Sequence, residues 1–391
     1  MEAVKEKNNQ SDLSFKSDSG HRAAPLPDLS NRLPAYWESE QDEILVCRQV
    51  RNETHDVKTF ILEAREPRQF RYQPGQFITL ELEIDGTLIN RCYTLSSTPT
   101  RPDRLAITVK RVPGGVVSNW LHDNLRPGST VHALGPSGEF SCFRHDSPKY
   151  LFLSAGSGIT PLMSMSRALH DLGADRDVLF LHNARTPADI IFARELQLMA
   201  RHNINFRHTV ICEHPGEHLD WHGFLGRLTR SYLENIAPDI HQREIFVCGP
   251  GPYMDAVRAI LTEIGIDFSH YHEESFSFNT VELGDDLDSC EITPNSDVSE
   301  SGAKQSCTIR FAKSEKDITS SNEQTILSAA KANGMRIPAS CSQGLCGTCK
   351  TKMISGEVRM NHSGGIRQRE IDQGWILPCC SIPLGDVVLD R

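Results

Sequence analysis

The sequence predicts a multidomain protein: an antiparallel β-barrel, then an α/β domain with a parallel sheet, then a small α+β domain. Three observations support this prediction. Short alternating strands broken by Gly and Pro come first, apolar strands alternating with helical stretches follow, and a strand, a short helix and a cysteine-rich loop end the chain. A length of 391 residues suits two to four domains, each with its own core.

The barrel is expected over residues 43–145. The runs FITLELEIDG, RCYTLSS, RLAITVKRV and STVHALG have the period of two that is typical of half-buried antiparallel strands. Residues 1–42 are rich in Ser, Asp, Asn and Pro and contain few apolar residues. They are therefore expected to form a mobile N-terminal tail.

The α/β domain is expected over residues 146–276. The apolar strands YLFLSA, VLFLHNA, FRHTVICE and REIFVCG alternate there with helical stretches such as PYMDAVRAILTEIG. Residues 277–305 carry many carboxylates without an apolar period, which predicts an acidic linker. The third domain is expected over residues 306–391.

Composition excludes several classes of function. A formal net charge of −10 argues against a nucleic-acid partner. The polar start lacks the apolar region of a signal peptide, and no apolar run approaches the length of a membrane span. Twelve cysteines without an export signal predict a cytoplasmic protein whose thiols are ligands or remain free.

Four cysteines near the C-terminus form the most specific pattern: Cys341, Cys346 and Cys349 in CSQGLCGTC, and the remote Cys379 in ILPCC. The spacing C-x4-C-x2-C with a distant fourth cysteine is that of a plant-type [2Fe–2S] cluster. A structural zinc site is the alternative, but such sites usually consist of paired CxxC knuckles, and only Cys346 and Cys349 have that spacing. The pattern therefore favours a cluster that carries one electron at a time.

The strand RCYTLSS has the residue types that a flavin requires. Alternation places Arg91 and Tyr93 on one face and Cys92 and Thr94 on the other. An arginine can bind the flavin phosphates, an aromatic ring can cover the ring system, and a hydroxyl can hydrogen-bond near the redox-active nitrogens. The same residues also occur in ordinary half-exposed strands.

A glycine turn before a helix follows in KRVPGGVVSNWLHDNL. Its residues are Gly115, Val116, Val117 and Ser118. Glycine allows close approach of a phosphate, and the N-terminus of a helix favours an anion. The alternative is a plain turn with Ser118 as the N-cap.

A second glycine-rich loop opens the α/β domain in LFLSAGSGITP. Gly156, Ser157 and Gly158 stand between an apolar strand and a helix, which predicts a nucleotide-phosphate site. Pro161 occupies the place of the third glycine of GxGxxG, so the standard dinucleotide fingerprint is absent. The turn at Thr160 and Pro161 is instead expected to meet the nicotinamide.

The last long strand of this domain ends in FVCGPGPYM. Cys248, Gly249 and Pro250 are expected at its carboxyl end, where open α/β sheets bind ligands. A buried core thiol is the alternative for Cys248. The segment HYHEESF that follows is interpreted as a strand end and its solvated exit rather than as a metal site.

The strings RCYTLSS, GGVVS, AGSGITP and CGPGPYM, in this order, resemble the motifs of the ferredoxin–NADP reductase superfamily. The tail resembles a plant-type ferredoxin, which has the β-grasp fold, and the resemblance covers roughly residues 43–391. It implies flavin contacts from Arg91, Cys92, Tyr93, Thr94, Gly115, Val116, Val117 and Ser118. It implies nicotinamide-nucleotide contacts from Gly156, Ser157, Gly158, Thr160, Pro161, Cys248, Gly249 and Pro250. The implied cluster ligands are Cys341, Cys346, Cys349 and Cys379, with Cys380 pointing away.

The domain order resembles single-chain reductases that serve Rieske-type oxygenases. The strings VSNWLHDNL, ARTPADIIF and HYHEESF are most similar to reductase components of glycine betaine monooxygenase systems, which carry out oxidative N-demethylation. The implied function is electron transfer from NADH to FAD, then to the cluster and to the oxygenase. Thr94 and Cys248 are the residues expected to affect the rate, with Cys248 positioning the nicotinamide.

Two alternatives to this function stay open. One is a reductase for another acceptor, such as a hybrid-cluster protein or a desaturase. The other is a non-catalytic adaptor that binds a metal through its cysteines.

Three finer expectations concern the ligands and the partner. FAD is favoured over FMN because the glycine–helix turn suits a pyrophosphate. NADH is favoured over NADPH because no Lys/Tyr pair follows ARTPADIIF, although Arg185 and Arg194 could meet a 2′-phosphate. Lys350 and Lys352, next to the cysteine loop, are expected to contact an acidic or neutral surface of the partner protein, and the alternative is that they are ordinary solvated lysines.

Overall fold

The structure, a computed structural model, describes residues 34–217, 221–275, 306–321, 323–335, 337, 339 and 341–391. Residues 35–391 belong to one unit, which contains three large sheets and one two-stranded sheet. Among the described residues, no helix is both long and apolar enough to cross a membrane. The predicted acidic linker, 277–305, lies outside the described residues.

The first sheet is an antiparallel barrel. Its strands are β1 (Ile44–Asn52), β2 (Val57–Ala64), β3 (Phe77–Ile84), β4 (Thr87–Thr94), β5 (Leu105–Lys110) and β6 (Thr130–Ser137), and helix α1 (Val116–Asn124) precedes β6. The order is β4-β3-β6-β1-β2-β5. A bridge between Leu95 and Ile107 joins the end of β4 to β5 and closes the sheet. Alternate apolar residues, such as Leu45, Phe60 and Leu80, fill the interior.

The end of the expected mobile tail differs from the prediction. Residues 1–33 lie outside the described residues, but Trp37 is 8 % exposed and belongs to the barrel core. Its ring lies 5.3 Å from that of Phe70, and its Nε1 donates a 2.9 Å hydrogen bond to the carbonyl of Gly135. A large aromatic ring with a satisfied N–H fixes the chain here, although the surrounding composition is polar.

The second sheet is parallel and carries helices between its strands. Its elements are β7 (Lys149–Ala155), α2 (Ile159–Asp171), β8 (Asp177–Ala184), α3 (Ala193–His202), β9 (Phe206–Cys212), β10 (Phe224–Leu225), α4 (Arg230–Ile236), β11 (Glu244–Gly249), α5 (Gly251–Ile264) and β12 (Tyr271–Ser275). The order is β10-β9-β8-β7-β11-β12. The strands that follow β7 in the chain are added on one side of it up to β10, and β11 and β12 are added on its other side. Such a switch point between β7 and β11 opens a crevice at the carboxyl ends of the strands.

The third sheet is mixed and forms the C-terminal α+β domain. Its elements are β13 (Ser306–Phe311), β14 (Lys316–Ser321), α6 (Ile326–Ala332), β15 (Thr351–Ser355), β16 (Val358–Met360), α7 (Gln368–Asp372), β17 (Trp375–Ile376), β18 (Ser381–Pro383) and β19 (Val387–Leu389). The sheet order is β14-β13-β19-β15-β17, with β13 and β19 parallel, and β16 pairs with β18. The cysteine loop lies between α6 and β15. The predicted fold class is confirmed in all three parts.

Candidate active site and cysteine cluster

Strand β4 presents two different faces. Arg91 is exposed, and its guanidinium makes no ion pair or hydrogen bond within the part of the chain that is described, so it is free to bind a phosphate. Tyr93 is half-buried against the barrel core, and burial raises the pKa of its hydroxyl well above 10. Asn90 and Cys92 point the other way, as the period of two requires.

The turn before α1 leaves the first amides of the helix open. The amides of Val116, Val117 and Ser118 belong to the first turn and have no intrahelical acceptor. Gly115 is the N-cap and has no side chain that could accept a hydrogen bond from them. Ser118 is not the N-cap: its Oγ accepts a 3.1 Å hydrogen bond from the amide of Val112 and stiffens the turn. A Cβ on Gly115 would lie 2.8 Å from that oxygen, so a larger residue would displace the side chain of Ser118.

The second glycine-rich loop lies at the switch point of the parallel sheet. Gly156 has a φ of +52°, which favours glycine, and Thr160 Oγ1 donates a 3.1 Å hydrogen bond to the carbonyl of Ser157. A Cβ on Gly158 would lie 2.3 Å from the carbonyl oxygen of Cys248, so this loop packs directly on the end of β11. Pro161 is buried in the first turn of α2, where its missing N–H leaves no bond unmade.

The end of β11 meets the barrel through β12. Cys248 and Gly249 are buried, whereas Pro250 is exposed at the start of α5. Glu274, opposite Cys248 in the β11–β12 register, accepts a 3.4 Å hydrogen bond from Thr94 Oγ1 of the barrel. Burial raises the pKa of Glu274 to about 7. Burial, and then the Glu274 carboxylate, raise the pKa of the Cys248 thiol, which is therefore neutral and not an activated nucleophile.

Helix α2 fixes the barrel against the parallel sheet. Ser164 Oγ donates a 2.5 Å hydrogen bond to the carbonyl of Ser97, and Arg167 donates to the carbonyl of Ser96. The same guanidinium forms a bidentate pair with Glu195 at 2.6 and 2.7 Å. These contacts hold Thr94 and Glu274 together across the crevice.

The four predicted cluster cysteines converge at one end of the third domain. The Sγ atoms of Cys349 and Cys379 are 3.2 Å apart, and the amide of Cys341 lies 3.4 Å from Cys346 Sγ. Backbone amides of Gln343 and Leu345 point at Cys341 Sγ from 3.4 and 3.3 Å. Amides aimed at cysteine sulfurs stabilise negative charge on them, as a cluster requires. The donor set therefore fits a [2Fe–2S] group.

The adjacent thiol of Cys380 is directed differently from that of Cys379. Its Sγ lies 3.6 Å from the carbonyl of Leu377, and it is more exposed than Cys379. A Cβ on Gly344 would lie 2.8 Å from this sulfur, so glycine is required where the loop passes Cys380.

The cysteine loop packs on the second face of β4 and its neighbour β3. Thr79 Oγ1 donates a 2.8 Å hydrogen bond to the carbonyl of Cys346, and Asn90 Nδ2 donates a 3.1 Å bond to the carbonyl of Gly347. Cys92 Sγ lies 3.7 Å from the hydroxyl of Thr348. One strand thus separates the predicted flavin residues from the cysteine loop.

Buried ion pairs surround this contact. Glu81 of β3 binds Lys350 at 2.7 Å and Arg367 at 2.8 Å, and Lys350 also binds Glu370 at 2.6 Å. Burial alone would raise the pKa of Glu81, but Lys350 and then Arg367 outweigh it and lower the pKa. The side chain of Lys350 is 4 % exposed. The expectation that Lys350 contacts a partner protein is therefore wrong for this arrangement, because its charge is used between domains.

Two groups of site residues were missed from sequence. Glu274 belongs to the segment expected to be a solvated exit, but the parallel pairing of β12 with β11 places it opposite Cys248 at the crevice. The contacts of Thr79, Glu81 and Arg367 had no local signal, since they join residues more than 250 positions apart.

The fold and the site define an NAD(P)H-dependent flavin iron–sulfur oxidoreductase. Family models agree: the oxidoreductase FAD-binding domain matches residues 45–142, the oxidoreductase NAD-binding domain residues 152–259, and the 2Fe-2S iron-sulfur cluster binding domain residues 309–384. The chain belongs to the family of monooxygenase reductase subunits that includes the glycine betaine monooxygenase reductase subunit of Pseudomonas aeruginosa. The two sequences are 46% identical over 88% of this chain and 94% of the relative.

Other relatives and solved structures extend this result. The stachydrine N-demethylase reductase subunit Stc4 of Rhizobium meliloti is 40% identical over 91% of this chain and 98% of the relative. The NADH oxidoreductase HCR of Escherichia coli is 32% identical over 87% and 95%. The structure of phthalate dioxygenase reductase aligns with a TM-score of 0.55 at 23% identity, over 89% of this chain and 97% of that one, which shows the shared fold.

Proposed function

We propose that this reductase passes electrons from NADH through FAD and the [2Fe–2S] cluster to a Rieske-type oxygenase that N-demethylates glycine betaine or a related quaternary amine. The observation that carries the proposal is strand β4, with Arg91 and Tyr93 on one face and the cysteine loop against the other. When bound, the flavin would accept a hydride and the cluster would carry single electrons. The thiols of the described residues are all free, which suits a reducing cytoplasm.

The residues of the chain would position these groups and exclude water. Arg91 and the open amides of α1 would hold the flavin phosphates, and the loop at Gly156 would hold those of the nucleotide. Thr94 and Glu274 would close the crevice at the nicotinamide, with the neutral thiol of Cys248 as a packing surface beside them. Cys341, Cys346, Cys349 and Cys379 would hold the cluster.

The preference for NADH is supported by the surroundings of Arg185. This guanidinium binds Asp189 at 2.8 Å and Asp56 at 3.1 Å, so its charge is already compensated where a 2′-phosphate would need it. Arg194 is exposed beside a cleft of about 360 Å³.

The preference for FAD is supported by the open amides of α1, since a pyrophosphate offers them more oxygens than a single phosphate.

The substrate class is supported by the curated relatives. Those at 40–46% identity include reductase subunits named for glycine betaine and for stachydrine, both fully methylated amines. The relative HCR, which is named as an NADH oxidoreductase, is more distant at 32%. An oxygenase that acts on a methylated amine is therefore the favoured electron acceptor.

The deciding experiment begins with the visible spectrum of anaerobically purified protein, before and after one equivalent of NADH or NADPH. Flavin and cluster bands that bleach with NADH and much more slowly with NADPH support the proposal. Formaldehyde release is then measured with purified glycine betaine and stachydrine oxygenases. Bleaching without electron delivery to either oxygenase would refute the assigned partner, and a yellow protein without cluster bands would refute the cluster assignment.

A further inference from the structure

Three histidines surround one buried carboxylate at the opposite end of the parallel sheet from the crevice. Glu244 is the first residue of β11, and its side chain is 11 % exposed. His272 Nε2 lies 2.5 Å from one carboxylate oxygen, and His270 Nδ1 lies 2.9 Å from the other. His145, from the connection between the barrel and β7, places Nδ1 3.9 Å from the first oxygen.

This cluster has two features that ordinary ion pairing does not explain. Within the described residues, only these histidines form ion pairs with Glu244, and no lysine or arginine does. The rings of His145 and His272 lie with centroids 3.6 Å apart at an interplanar angle of 30°, and the imidazole of His145 makes no hydrogen bond within the described residues.

We propose that this cluster binds one divalent metal ion of the zinc class. His145, His272 and Glu244 would be the ligands, and their donor atoms already lie within 4.8 Å of one another. Nitrogen and carboxylate donors suit Zn²⁺, and bonds of about 2.1 Å in a tetrahedral site place the donors about 3.4 Å apart. Rotation of these side chains would bring the three donors to that spacing, and a water molecule would be the fourth ligand. His270, on the second carboxylate oxygen, would orient Glu244 as an outer partner.

The position of the cluster indicates a structural role for the metal. Gly249, at the crevice, is five residues along β11 from Glu244, or about 17 Å away. The ion would link three segments: the connection between the barrel and β7, strand β11 and strand β12. His272 and Glu274 lie on the same face of β12, so fixing the start of this strand would also steady the carboxyl group that meets Thr94.

A second group of residues is a weaker candidate for a metal site. His55, Asp56 and Asp189 also approach one another. Their carboxylates, however, already bind Arg185, and Asp56 lies 3.6 Å from Lys110. A further cation would have to displace these side chains, whereas the cluster around Glu244 offers a carboxylate with histidine partners alone.

The test uses full-length protein with its cluster in place, so that the cysteines are occupied. After treatment with a chelator, ZnCl₂ is titrated calorimetrically into wild type, His145→Asn, His272→Asn and the control His241→Asn, an exposed histidine of the same domain. We expect one equivalent to bind wild type and control, with binding at least about tenfold weaker in the other two variants. Zinc should raise the melting temperature of wild type and control only.

Co²⁺ provides a second readout that does not depend on stability. Bound by nitrogen and oxygen donors, it should give visible d–d bands without thiolate-to-cobalt charge transfer, and His145→Asn should remove them. His145 lies in an exposed connection, so this variant is expected to keep its flavin and cluster spectra. Equal affinity in all four proteins, no binding at all, or a thiolate-type cobalt spectrum would each overturn the proposal.

Discussion

The hydroxyl of Thr79 donates a 2.8 Å hydrogen bond to the carbonyl of Cys346, so a barrel strand holds the cysteine loop directly. Asn90 and Cys92 contact the next residues of the loop. Because Arg91 and Tyr93 alternate with these residues, the proposed electron path would cross a single strand. The ion pairs of Glu81 seal the same contact from water.

Removing the charge of Glu81 should weaken the contact between the first and third domains. In Glu81→Gln, the buried Arg367 and Lys350 lose the carboxylate that they bind. Removing one partner of a buried ion pair lowers the free energy of unfolding by about 3 kcal/mol. We expect a lower free energy of unfolding in urea and slower cluster reduction in stopped-flow absorption. Glu83→Gln, an exposed change on the same strand, is the control. Equal cluster reduction in both variants would argue that the contact does not carry electrons.

Replacing Gly158 should disturb the switch point. In Gly158→Ala, the new methyl group meets the Cys248 carbonyl, and the backbone must shift, at about 1–3 kcal/mol. Thermal unfolding should begin earlier, and the KM for NADH should rise. Gly251→Ala is the matched control, since a Cβ there has no atom within 4 Å. If both variants behave like wild type, β11 does not support the loop as closely as described.

Glu274 should make both stability and rate depend on pH. The pKa of about 7 in the folded protein exceeds the usual 4.5, because burial disfavours the charged form. Between pH 4.5 and 7 the folded state keeps a proton that the unfolded state has lost, so the stability contributed by this group falls as pH rises through that window.

The variant Glu274→Gln should remove this dependence. We expect its free energy of unfolding to fall less than that of wild type between pH 4.5 and 7, and hydride transfer from NADH to lose an inflection near pH 7. Urea titrations and single-turnover flavin reduction measure the two effects. Glu273→Gln, on the neighbouring exposed position, is the control; an inflection that persists in Glu274→Gln would assign it to another group.

The two adjacent cysteines should differ in their effect on the cluster. Cys379 faces Cys349 at 3.2 Å, whereas Cys380 turns toward the Leu377 carbonyl. Cys379→Ser should therefore lose most cluster absorption and iron, and Cys380→Ser should keep both. Iron analysis and visible circular dichroism measure the outcome, and the reverse result would exchange the two assignments.

Local periodicity accounts for what the sequence could predict. The period of two correctly separated Arg91 from Cys92, and the glycine loops marked the turns that the structure shows. Periodicity could not reveal what Cys92 faces, because its partner Thr348 is 256 positions away. Trp37 was missed for a similar reason: one aromatic residue in a polar stretch packs on Phe70, which no neighbouring residue indicates.

The guanidinium of Arg367 bears on any attempt to exchange domains between reductases. It donates to the carbonyls of Ser39 and Ala133 as well as to Glu81, and its side chain is 2 % exposed. A ferredoxin domain transplanted from a relative would bring its own residue to a pocket shaped for this one. In a successful chimera, the barrel positions of Thr79, Glu81 and Asn90 should therefore be exchanged together with the ferredoxin domain. The boundary of the exchanged unit then follows the contact between the domains and not the linker.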